Sequence, residues 1–531
     1  MKKFLLLTGL ASALALASFA QANEKVWVTI GKDGYDLLKQ QMPGLMQDEK
    51  SFDLANDKVS LVKVQEKHLP LLSMYMHKQF RRCGGYMVHE NEQAAYASIQ
   101  AFMDNRPQAL IDYKIDQQSI INPLLPQIKE SEIRSFIIEL SEYNNRYYRS
   151  STGVNAAKRI RDKWAELSAG RSDVSVELYN HNSWNQDSVV MTIQGNELAD
   201  EIVVVGGHLD SINQYSSDRI NARAPGADDN ASGISTITEV IRVLMNNDYK
   251  PSRTLKFMGY AAEEVGLKGS QEIAKAHKNQ GKNVVGVLQL DMTNYQGDAV
   301  DAAIITDYTN SAQNNFFKEV ANYYAPELNI GTTQCGYACS DHASWHNQGF
   351  PATMPSEAPF GKHNQALHTT GDTISKSGNN ANHAYKFAKM ATSFAVEMAK
   401  TAGSDPDPDP GDFKQLKSVT GYCLSVNTSN QAELANCATN KKQLWQHDDQ
   451  GRLKHKSGNC LAVSDIASRG DRAVLKSCDS GKGQKWKIEG QRVVSEAGDN
   501  LLLTAWGRSA GVKVGVWSSL FGHPIQSWDW K

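Results

Sequence analysis

Imidazole and carboxylate side chains follow short apolar segments in the middle of the chain, where these segments give way to polar loops. His208, Glu263, Glu264 and Asp291 follow such segments, while Asp229 lies in the polar loop before a predicted helix and His368 lies far downstream. Two histidines with several carboxylates, and no cysteine among them, suit zinc or a similar borderline metal. A pair of such ions a few ångström apart polarises a carbonyl and generates hydroxide near neutral pH. The residue types therefore predict a metal centre.

The spacing of these groups suggests different roles for them. Glu263 and Glu264 are adjacent, so their side chains point in different directions, and one can bind metal while the other moves a proton. One carboxylate bridging both ions, with a histidine and a further carboxylate on each, would complete the centre. Asp210 lies two residues from His208 in an extended segment, so it can accept the second N–H of that imidazole.

Residues from about 107 to 400 alternate between predicted strands and predicted helices. The predicted strands are Ser188–Ile193, Ile202–Val205, Thr254–Tyr260, Val284–Leu290 and Ala302–Ile305. The predicted helices are Glu130–Arg149, Gly153–Ala169, Gly233–Met245, Leu267–Asn279 and Ala312–Tyr324. This alternation predicts an α/β fold with a mixed, largely parallel sheet covered by helices on both faces. Such sheets gather their sites at the C-terminal ends of the strands, where most of the candidate ligands stand.

The N-terminus has the features of an export signal. Two lysines precede an apolar region from Phe4 to Phe19, and Ala-Gln-Ala at 20–22 matches a small-x-small cleavage site. Residues 1–22 are therefore predicted to be a signal peptide, and the protein to be secreted. The formal net charge of −2 offers no basic excess for nucleic acid. Beyond the N-terminus, no apolar run is long enough to predict a membrane span.

Three further segments flank the predicted catalytic domain, residues 107–401. Residues 23–106 carry mixed charge and no cluster of catalytic residue types. In an exported hydrolase this indicates a pro-segment that assists folding or blocks the site, and a permanently attached N-terminal domain is the alternative. Residues 402–412 alternate Pro and Asp, which predicts an extended linker. Residues 413–531 form a separate domain of different character.

This last domain repeats a Gln-x-Trp motif. The motif ends at Trp445, Trp486 and Trp528, at steps of 41 and 42 residues. Self-similarity at this period predicts a small β unit that needs its copies to bury a core.

The chain has seven cysteines, and because each disulfide uses two, an exported chain with this odd number cannot pair them all internally. Cys83 is the odd one, and removal of residues 23–106 would leave an even set. The other six lie in close pairs and predict the disulfides Cys335–Cys339, Cys423–Cys437 and Cys460–Cys478. A thiolate metal site is the rival interpretation of the first pair, but an oxidising compartment favours the disulfide.

Several motifs of the catalytic domain also resemble a known family. They are H-L-D-S, G-A-D-D-N-A-S-G, A-A-E-E-V-G-L-K-G-S, L-Q-L-D-M-T-N-Y, C-G-Y-A-C-S-D-H-A-S-W and H-T-T-G-D-T. Over residues 107–400 the chain resembles the secreted bacterial leucyl aminopeptidases, which are co-catalytic dizinc exopeptidases. The resemblance implies two Zn²⁺ ions, a general base and a cis peptide bond after the bridging carboxylate. The implied roles are His208 and Asp291 on one ion, Glu264 and His368 on the other, Asp229 bridging both, and Glu263 as the base.

The same resemblance implies the reaction. The enzyme would remove the N-terminal residue, preferably a large apolar one such as leucine, from peptides and proteins through a metal-activated water. Tyr337 is implied to donate a hydrogen bond to the developing oxyanion. Ser356 and His363 stand where relatives carry aromatic residues. The residues implied to line the pocket for the N-terminal side chain are Met292, Tyr337, Met354, Phe360 and Leu367.

The Gln-x-Trp domain resembles the ricin-B-type β-trefoil lectin module, which implies a carbohydrate or cell-surface ligand as a partner. Sugar-binding repeats usually carry Asp just after the repeat opening, and here Ser425, Ala462 and Leu502 stand there. Two other functions remain open. One is a carboxypeptidase or glutaminyl cyclase of the same architecture, and the other is an adhesin whose α/β domain is inert.

Overall fold

The computed structural model describes residues 25–45, 48–50, 59–80, 85–103, 113–401, 413–427, 430–437, 443–448, 450–456, 459–520 and 524–530. The predicted signal peptide, the Asp/Pro linker and Cys83 lie outside the described residues. The chain divides into two compact units, residues up to 403 and residues from 404. Within the part of the chain that is described, no helix is both long and apolar enough to cross a membrane.

The N-terminal region of the first unit is an antiparallel sheet with helices on both faces. Its strands lie in the order β2-β3-β1-β4. On one face Val28 and Ile30 pack with Leu72 and Met76, while Trp27 lies on the opposite face. The elements are β1 (Lys25–Gly31), α1 (Lys32–Gln41), β2 (Asp48–Lys50), β3 (Val59–Gln65), α2 (Leu69–Phe80), β4 (Tyr86–His89) and α3 (Glu92–Met103).

The α/β domain that follows is built on a six-stranded sheet in the order β12-β9-β7-β8-β6-β5. Strands β12, β9, β7 and β8 are parallel, and β6 and β5 continue the sheet in antiparallel pairs. A second sheet has the order β11-β10-β13. The strands are β5 (Val174–Tyr179), β6 (Ser188–Ile193), β7 (Leu198–His208), β8 (Arg253–Tyr260), β9 (Asn283–Gln289), β10 (Ala302–Ile305), β11 (Ile330–Thr333), β12 (Ala352–Thr353) and β13 (Pro355–Ser356). The predicted mixed, largely parallel sheet is confirmed.

The helices of this domain cover both faces of the sheet, because the central strands are apolar on both sides. In β7, Val203 and Val205 pack with Ile237 of α7, whereas Val204 packs with Ile273 of α8 on the other face. The helices are α4 (Gln118–Leu124), α5 (Glu130–Glu142), α6 (Ser151–Leu167), α7 (Ala231–Asn246), α8 (Lys268–Asn279), α9 (Ser311–Tyr324), α10 (His342–Asn347) and α11 (Asn382–Ala399).

The predicted helix over 130–149 is too long, since α5 ends at Glu142. The cause is Arg146, whose buried guanidinium donates to the carbonyl oxygens of Leu140, Leu209, Pro225 and Gly226. These bonds hold residues after 142 in a loop against the start of the site. The structure also contains elements that the sequence pattern does not predict, among them β5 and α11.

The second unit has the β-rich fold expected of a trefoil, with a three-fold repeated core. Trp445, Trp486 and Trp528 are buried, and their indole N–H groups donate to the carbonyl oxygens of Leu424, Leu461 and Leu503 at 3.0, 3.0 and 2.9 Å. The strands are β14 (Lys414–Ser418), β15 (Cys423–Val426), β16 (Ala432–Ala435), β17 (Leu444–His447), β18 (Leu453–His455), β19 (Cys460–Ala462), β20 (Val474–Lys476), β21 (Trp486–Glu489), β22 (Arg492–Ser495), β23 (Leu501–Ala505), β24 (Val514–Ser518) and β25 (Trp528–Trp530).

The register of the third repeat differs from the prediction. Leu502 pairs with Val494 of the preceding strand as Cys423 pairs with Lys417 and Cys460 with Lys454. The position equivalent to Ser425 and Ala462 is therefore Thr504 and not Leu502. The loop before β23 is longer than the loop before β19, which hides this offset in the sequence.

Candidate metal centre

Three adjacent parallel strands deliver part of the centre to one edge of the sheet. His208 is the last residue of β7, and Asp291 lies two residues beyond β9. Glu263 and Glu264 begin a short 3-10 turn, Glu263–Val265, shortly after β8. Because β9, β7 and β8 are neighbours, their C-terminal ends place these side chains together.

Two loops supply the remaining groups. Asp229 immediately precedes Asn230, whose side chain caps α7 by accepting from the N–H of Gly233 at 2.9 Å. Asp229 thus lies at a helix N-terminus, where negative charge is favoured. His368 comes from the loop between β13 and α11. The predicted cis peptide bond between Asp229 and Asn230 is confirmed.

The side chains form one buried cluster in which Asp229 is central. His208 Nε2 lies 3.0 Å from Asp229 Oδ1 and 3.1 Å from Asp291 Oδ1. His368 Nε2 lies 2.9 Å from Asp229 Oδ2 and 2.7 Å from Glu264 Oε2. The two oxygens of Asp229 therefore face two different histidines, each accompanied by a second carboxylate.

This cluster fits metal ions. His208, Asp229 and Glu264 each offer one ligand atom, and these atoms lie within 4.8 Å of one another. Glu264 Oε1 and Glu263 Oε2 are buried and accept no hydrogen bond from the described residues. Buried carboxylate oxygens without donors are costly unless a cation balances them. The imidazole and carboxylate donor set is the set that zinc uses.

The protonation equilibria show the same need for positive charge. Burial raises the pKa of Glu264 to about 7, although His368 opposes this. Burial by itself would lower the pKa of His368, but the carboxylates of Glu264 and Asp229 raise it to about 10. Burial also raises the pKa of Glu263 well above its ordinary value. Protons and metal ions compete for such ligands, so loading the centre releases protons.

Asp210 lies beside His208, but its carboxylate contacts more than the imidazole. His208 Nδ1 is 3.2 Å from the main-chain oxygen of Asp210 and 3.5 Å from its carboxylate. The two carboxylate oxygens of Asp210 accept the backbone N–H groups of Glu263 at 3.0 Å and Glu264 at 3.3 Å. Asp210 thus orients the turn that carries both glutamates.

Two other residues hold ligands in place and are not predicted from the sequence. Ser340 Oγ donates to Asp291 Oδ2 at 2.6 Å. Asp372 accepts the backbone N–H groups of Asp228 at 3.2 Å and Asp229 at 3.0 Å. Both residues lie in motifs noted in the sequence, C-S-D-H and H-T-T-G-D-T, but neither has a spacing that indicates its partner.

Left-handed backbone turns the chain at three points around the cluster. Ala262, Met292 and His368 have φ of 58°, 54° and 57°. This region is costly for residues other than glycine, and it persists where the surroundings over-determine it. The turns bring the ends of β8 and β9 and the His368 loop to one point.

A mostly apolar pocket adjoins Asp291, and the confirmed disulfide Cys335–Cys339 forms part of its wall. Four of the five predicted lining residues are present, namely Met292, Tyr337, Met354 and Phe360. Leu367 is the exception: it is fully buried and does not line this pocket. It directly precedes His368, and the left-handed turn at that residue directs the imidazole, not the leucine, to the site. Ile305, Ser356 and His363 complete the lining.

Comparisons with known families match both units of the chain. The model of peptidase family M28 matches residues 188–393, and the model of the ricin-type beta-trefoil lectin domain matches residues 412–528. Leucine aminopeptidase 1 of Coccidioides posadasii is 35% identical over 308 residues, which is 55% of this chain and 77% of that protein. A probable leucine aminopeptidase of Trichophyton verrucosum is 32% identical over 367 residues, which is 67% of this chain and 93% of that protein.

Solved structures agree with these matches. The structure of LapB from Legionella pneumophila has a TM-score of 0.60 and 28% identity, covering 71% of this chain and all of its own. The structure of the Legionella pneumophila LapA aminopeptidase has a TM-score of 0.59 and 27% identity. This match covers 71% of this chain and 99% of that chain. The chain therefore belongs to peptidase family M28, as an aminopeptidase of the metal-dependent kind with a ricin-type β-trefoil lectin domain on its C-terminal side.

Proposed function

We propose that this protein is a secreted aminopeptidase that uses two zinc ions to remove large apolar N-terminal residues, such as leucine, from peptides and proteins. One observation carries the proposal. The two oxygens of Asp229 lie 3.0 and 2.9 Å from His208 and His368, and each histidine is paired with a further carboxylate. A carboxylate with one oxygen directed toward each of two histidine–carboxylate pairs is the arrangement that holds two ions together.

The proposed ligands follow from these distances. His208 and Asp291 would hold one zinc ion, His368 and Glu264 the other, and Asp229 both. When bound, zinc polarises the scissile carbonyl and lowers the pKa of water to near neutrality. Ser340 and Asp372 keep Asp291 and Asp229 oriented for this role.

Glu263 is proposed as the general base. It lies beside the proposed ligand Glu264, and its backbone N–H is fixed by Asp210 at 3.0 Å. Its Oε2 is buried and accepts no hydrogen bond from the residues the structure describes. It would take a proton from the attacking water and return it to the leaving amine.

The pocket beside Asp291 supports the preference for a large apolar residue. Met292, Met354 and Phe360 supply apolar surface next to the cluster. Tyr337 lines the same pocket, and we propose that its hydroxyl donates to the developing oxyanion. Ser356 and His363 make part of the wall polar.

Two features support secretion. The N-terminal sequence has the lysines, apolar core and small-x-small motif of an export signal. The six paired cysteines form the three predicted disulfides, Cys335–Cys339, Cys423–Cys437 and Cys460–Cys478. Disulfides persist in oxidising compartments.

We further propose that residues 23–106 are a pro-segment that blocks the site. Glu263 and His368 are 1% and 3% exposed while this segment is in place, whereas an aminopeptidase must admit a peptide. The trefoil is proposed to bind a carbohydrate, although Ser425, Ala462 and Thr504 offer no carboxylate at the usual position.

Metal counting and product analysis on the processed enzyme test the proposal. We expect two zinc ions per chain, hydrolysis of a leucyl anilide that chelation abolishes and zinc restores, and release of single N-terminal residues from peptides. Release of C-terminal residues, or cyclisation of N-terminal glutamine, would assign the fold to one of the other reactions. Activity that survives full removal of metal would contradict the proposal.

A further inference from the structure

We infer that His77, in helix α2 of the N-terminal segment, is an additional ligand for the metal position of His368 and Glu264 in the unprocessed chain. The segment would then inhibit the enzyme by occupying a coordination position as well as by covering the site. This inference rests on the proposed two-metal aminopeptidase.

His77 lies directly on the cluster. Its side chain is fully buried, and its ring centroid is 4.9 Å from that of His368, with the ring planes at 45°. The ring also meets Tyr215 edge-on at 5.5 Å. His77 therefore contacts a proposed metal ligand from outside the catalytic domain.

The spacing of the two imidazoles suits a shared ion. Zinc binds histidine nitrogen at about 2.0–2.1 Å, which puts each ring centroid about 3.2 Å from the metal. Two such rings at a tetrahedral angle have centroids about 5 Å apart. The observed separation of 4.9 Å is close to this value. His368 already directs Nε2 toward Glu264 and Asp229, so His77 would add a second imidazole to the donors of that half.

One buried residue connects the helix to the His368 loop. Gln214 donates its side-chain amide to Ser73 Oγ at 2.5 Å, and its backbone N–H to the carbonyl oxygen of His368 at 3.0 Å. Ser73 and His77 are one helical turn apart and so share a face of α2. The contact fixes the rotation of the helix about its axis, and hence the direction of His77.

Contacts on either side hold the segment over the site. Glu66 pairs with Lys268 at 3.0 Å, and Ser98 accepts from Asn347 at 2.9 Å. The N–H of Val88 donates to the carbonyl oxygen of Gly266, just beyond the turn that carries Glu263 and Glu264, at 3.4 Å. These contacts place α2 against the metal half formed by Glu264 and His368.

A purely steric plug would also bury the site, so the experiment must separate ring packing from ligation. The matched variant is His77→Phe, which keeps an aromatic ring and removes both nitrogens. Gln79→Ala, at an exposed position of the same helix, is the control. His77→Gln serves as the second variant if His77→Phe does not reach the folded content of wild type by circular dichroism.

The test uses the full-length unprocessed chain, stripped of metal and reloaded with two equivalents of Co²⁺. We expect the visible absorption spectrum of this unprocessed chain to differ from that of the processed enzyme. The spectrum of the unprocessed His77→Phe variant should instead match that of the processed enzyme. We also expect a chelator to remove one of the two ions about tenfold faster from His77→Phe than from wild type or Gln79→Ala. Folded His77→Phe and His77→Gln precursors with wild-type spectra and wild-type rates of metal loss would overturn the inference.

The processed enzyme, which lacks His77, keeps this outcome separate from the proposed function. Two bound ions and leucyl anilide hydrolysis in that form would uphold the aminopeptidase even if the His77 variants behave as wild type. Loss of the metal pair in the processed form would contradict the proposed function itself.

Discussion

The two regions that flank the catalytic domain are held in different ways. The N-terminal region shares one compact unit with the catalytic domain and reaches it through polar contacts such as Ser73–Gln214 and Glu66–Lys268. The trefoil is a compact unit of its own, with a core around three buried tryptophans and two internal disulfides. We therefore propose that the first region controls the site and that the second folds and acts independently of it.

The largest effect should come from the proposed base itself. Glu263→Gln should lower kcat of the processed enzyme about 10³-fold, because the proton acceptor is lost while the shape is kept. Leucyl anilide hydrolysis measures this, and Glu166→Gln at an exposed position is the control. Removing the N-terminal region from the Glu263→Gln precursor should then leave its rate far below that of the processed wild type. Full activity of Glu263→Gln would show that another group accepts the proton.

Removal of residues 23–106 from the wild-type precursor should raise kcat/KM at least about tenfold. Apparent affinity scales with the fraction of molecules whose site is open, and His77 of this region packs against His368 in the buried site. Limited proteolysis tests this increase in kcat/KM: mass spectrometry identifies the cleaved product, and the hydrolysis rate is measured on the same samples. Equal rates before and after cleavage would mean that the N-terminal region does not control access.

Acid should affect the first unit before the trefoil. Burial lowers the pKa of His89 to about 3, of His342 to about 3 and of His383 to about 4, and all three lie in the first unit. Unfolded histidine binds a proton near pH 6.5, so the unfolded state takes up protons first as the pH falls. Each of these histidines therefore contributes fully to the free energy of unfolding above about pH 6.5. As the pH falls from there toward the pKa of the folded state, this contribution decreases by about 1.4 kcal/mol per pH unit.

Proteolysis mapped by mass spectrometry at each pH checks this expectation. Cleavage sites should appear between residues 25 and 401 at a higher pH than within residues 413–530. The opposite order would show that the trefoil is the more acid-sensitive unit.

The smallest effect should follow deletion of residues 402–531. Because the trefoil has its own core, we expect kcat/KM for a leucyl anilide to change by less than about twofold and the metal content to stay the same. The matched full-length variant is Trp486→Ala, which should destabilise the trefoil by about 3–5 kcal/mol and leave hydrolysis unchanged. A large loss of small-substrate activity in either case would contradict independent action.

The strands of the α/β domain can be predicted well because they are buried on both faces. Ser188–Ile193 and Ala302–Ile305 match β6 and β10 to the residue. Short apolar runs bounded by polar loops are a local signal. The types of the polar residues after these runs indicate a metal centre, and the family resemblance supplies the role of each ligand. The three disulfides are also predictable, from proximity along the chain.

Features that depend on partners distant in sequence cannot be predicted in this way. The end of α5 depends on Arg146 reaching carbonyl groups near residues 209 and 225. The family resemblance implies Leu367 in the pocket, and residue types do not correct this because they do not reveal the backbone turn at His368. They also set the third trefoil repeat two residues out of register, because only strand pairing shows the longer loop.

Residue types and short-range pattern were sufficient for the domain order, the chemistry of the donor set and the strands that carry it, since these follow from burial and periodicity along one segment. Which oxygen of Asp229 faces which histidine, and the approach of His77 to His368, arose only from packing between distant segments. Contacts of that kind depend on distances of a few ångström between residues far apart in the chain, and local sequence does not encode such distances.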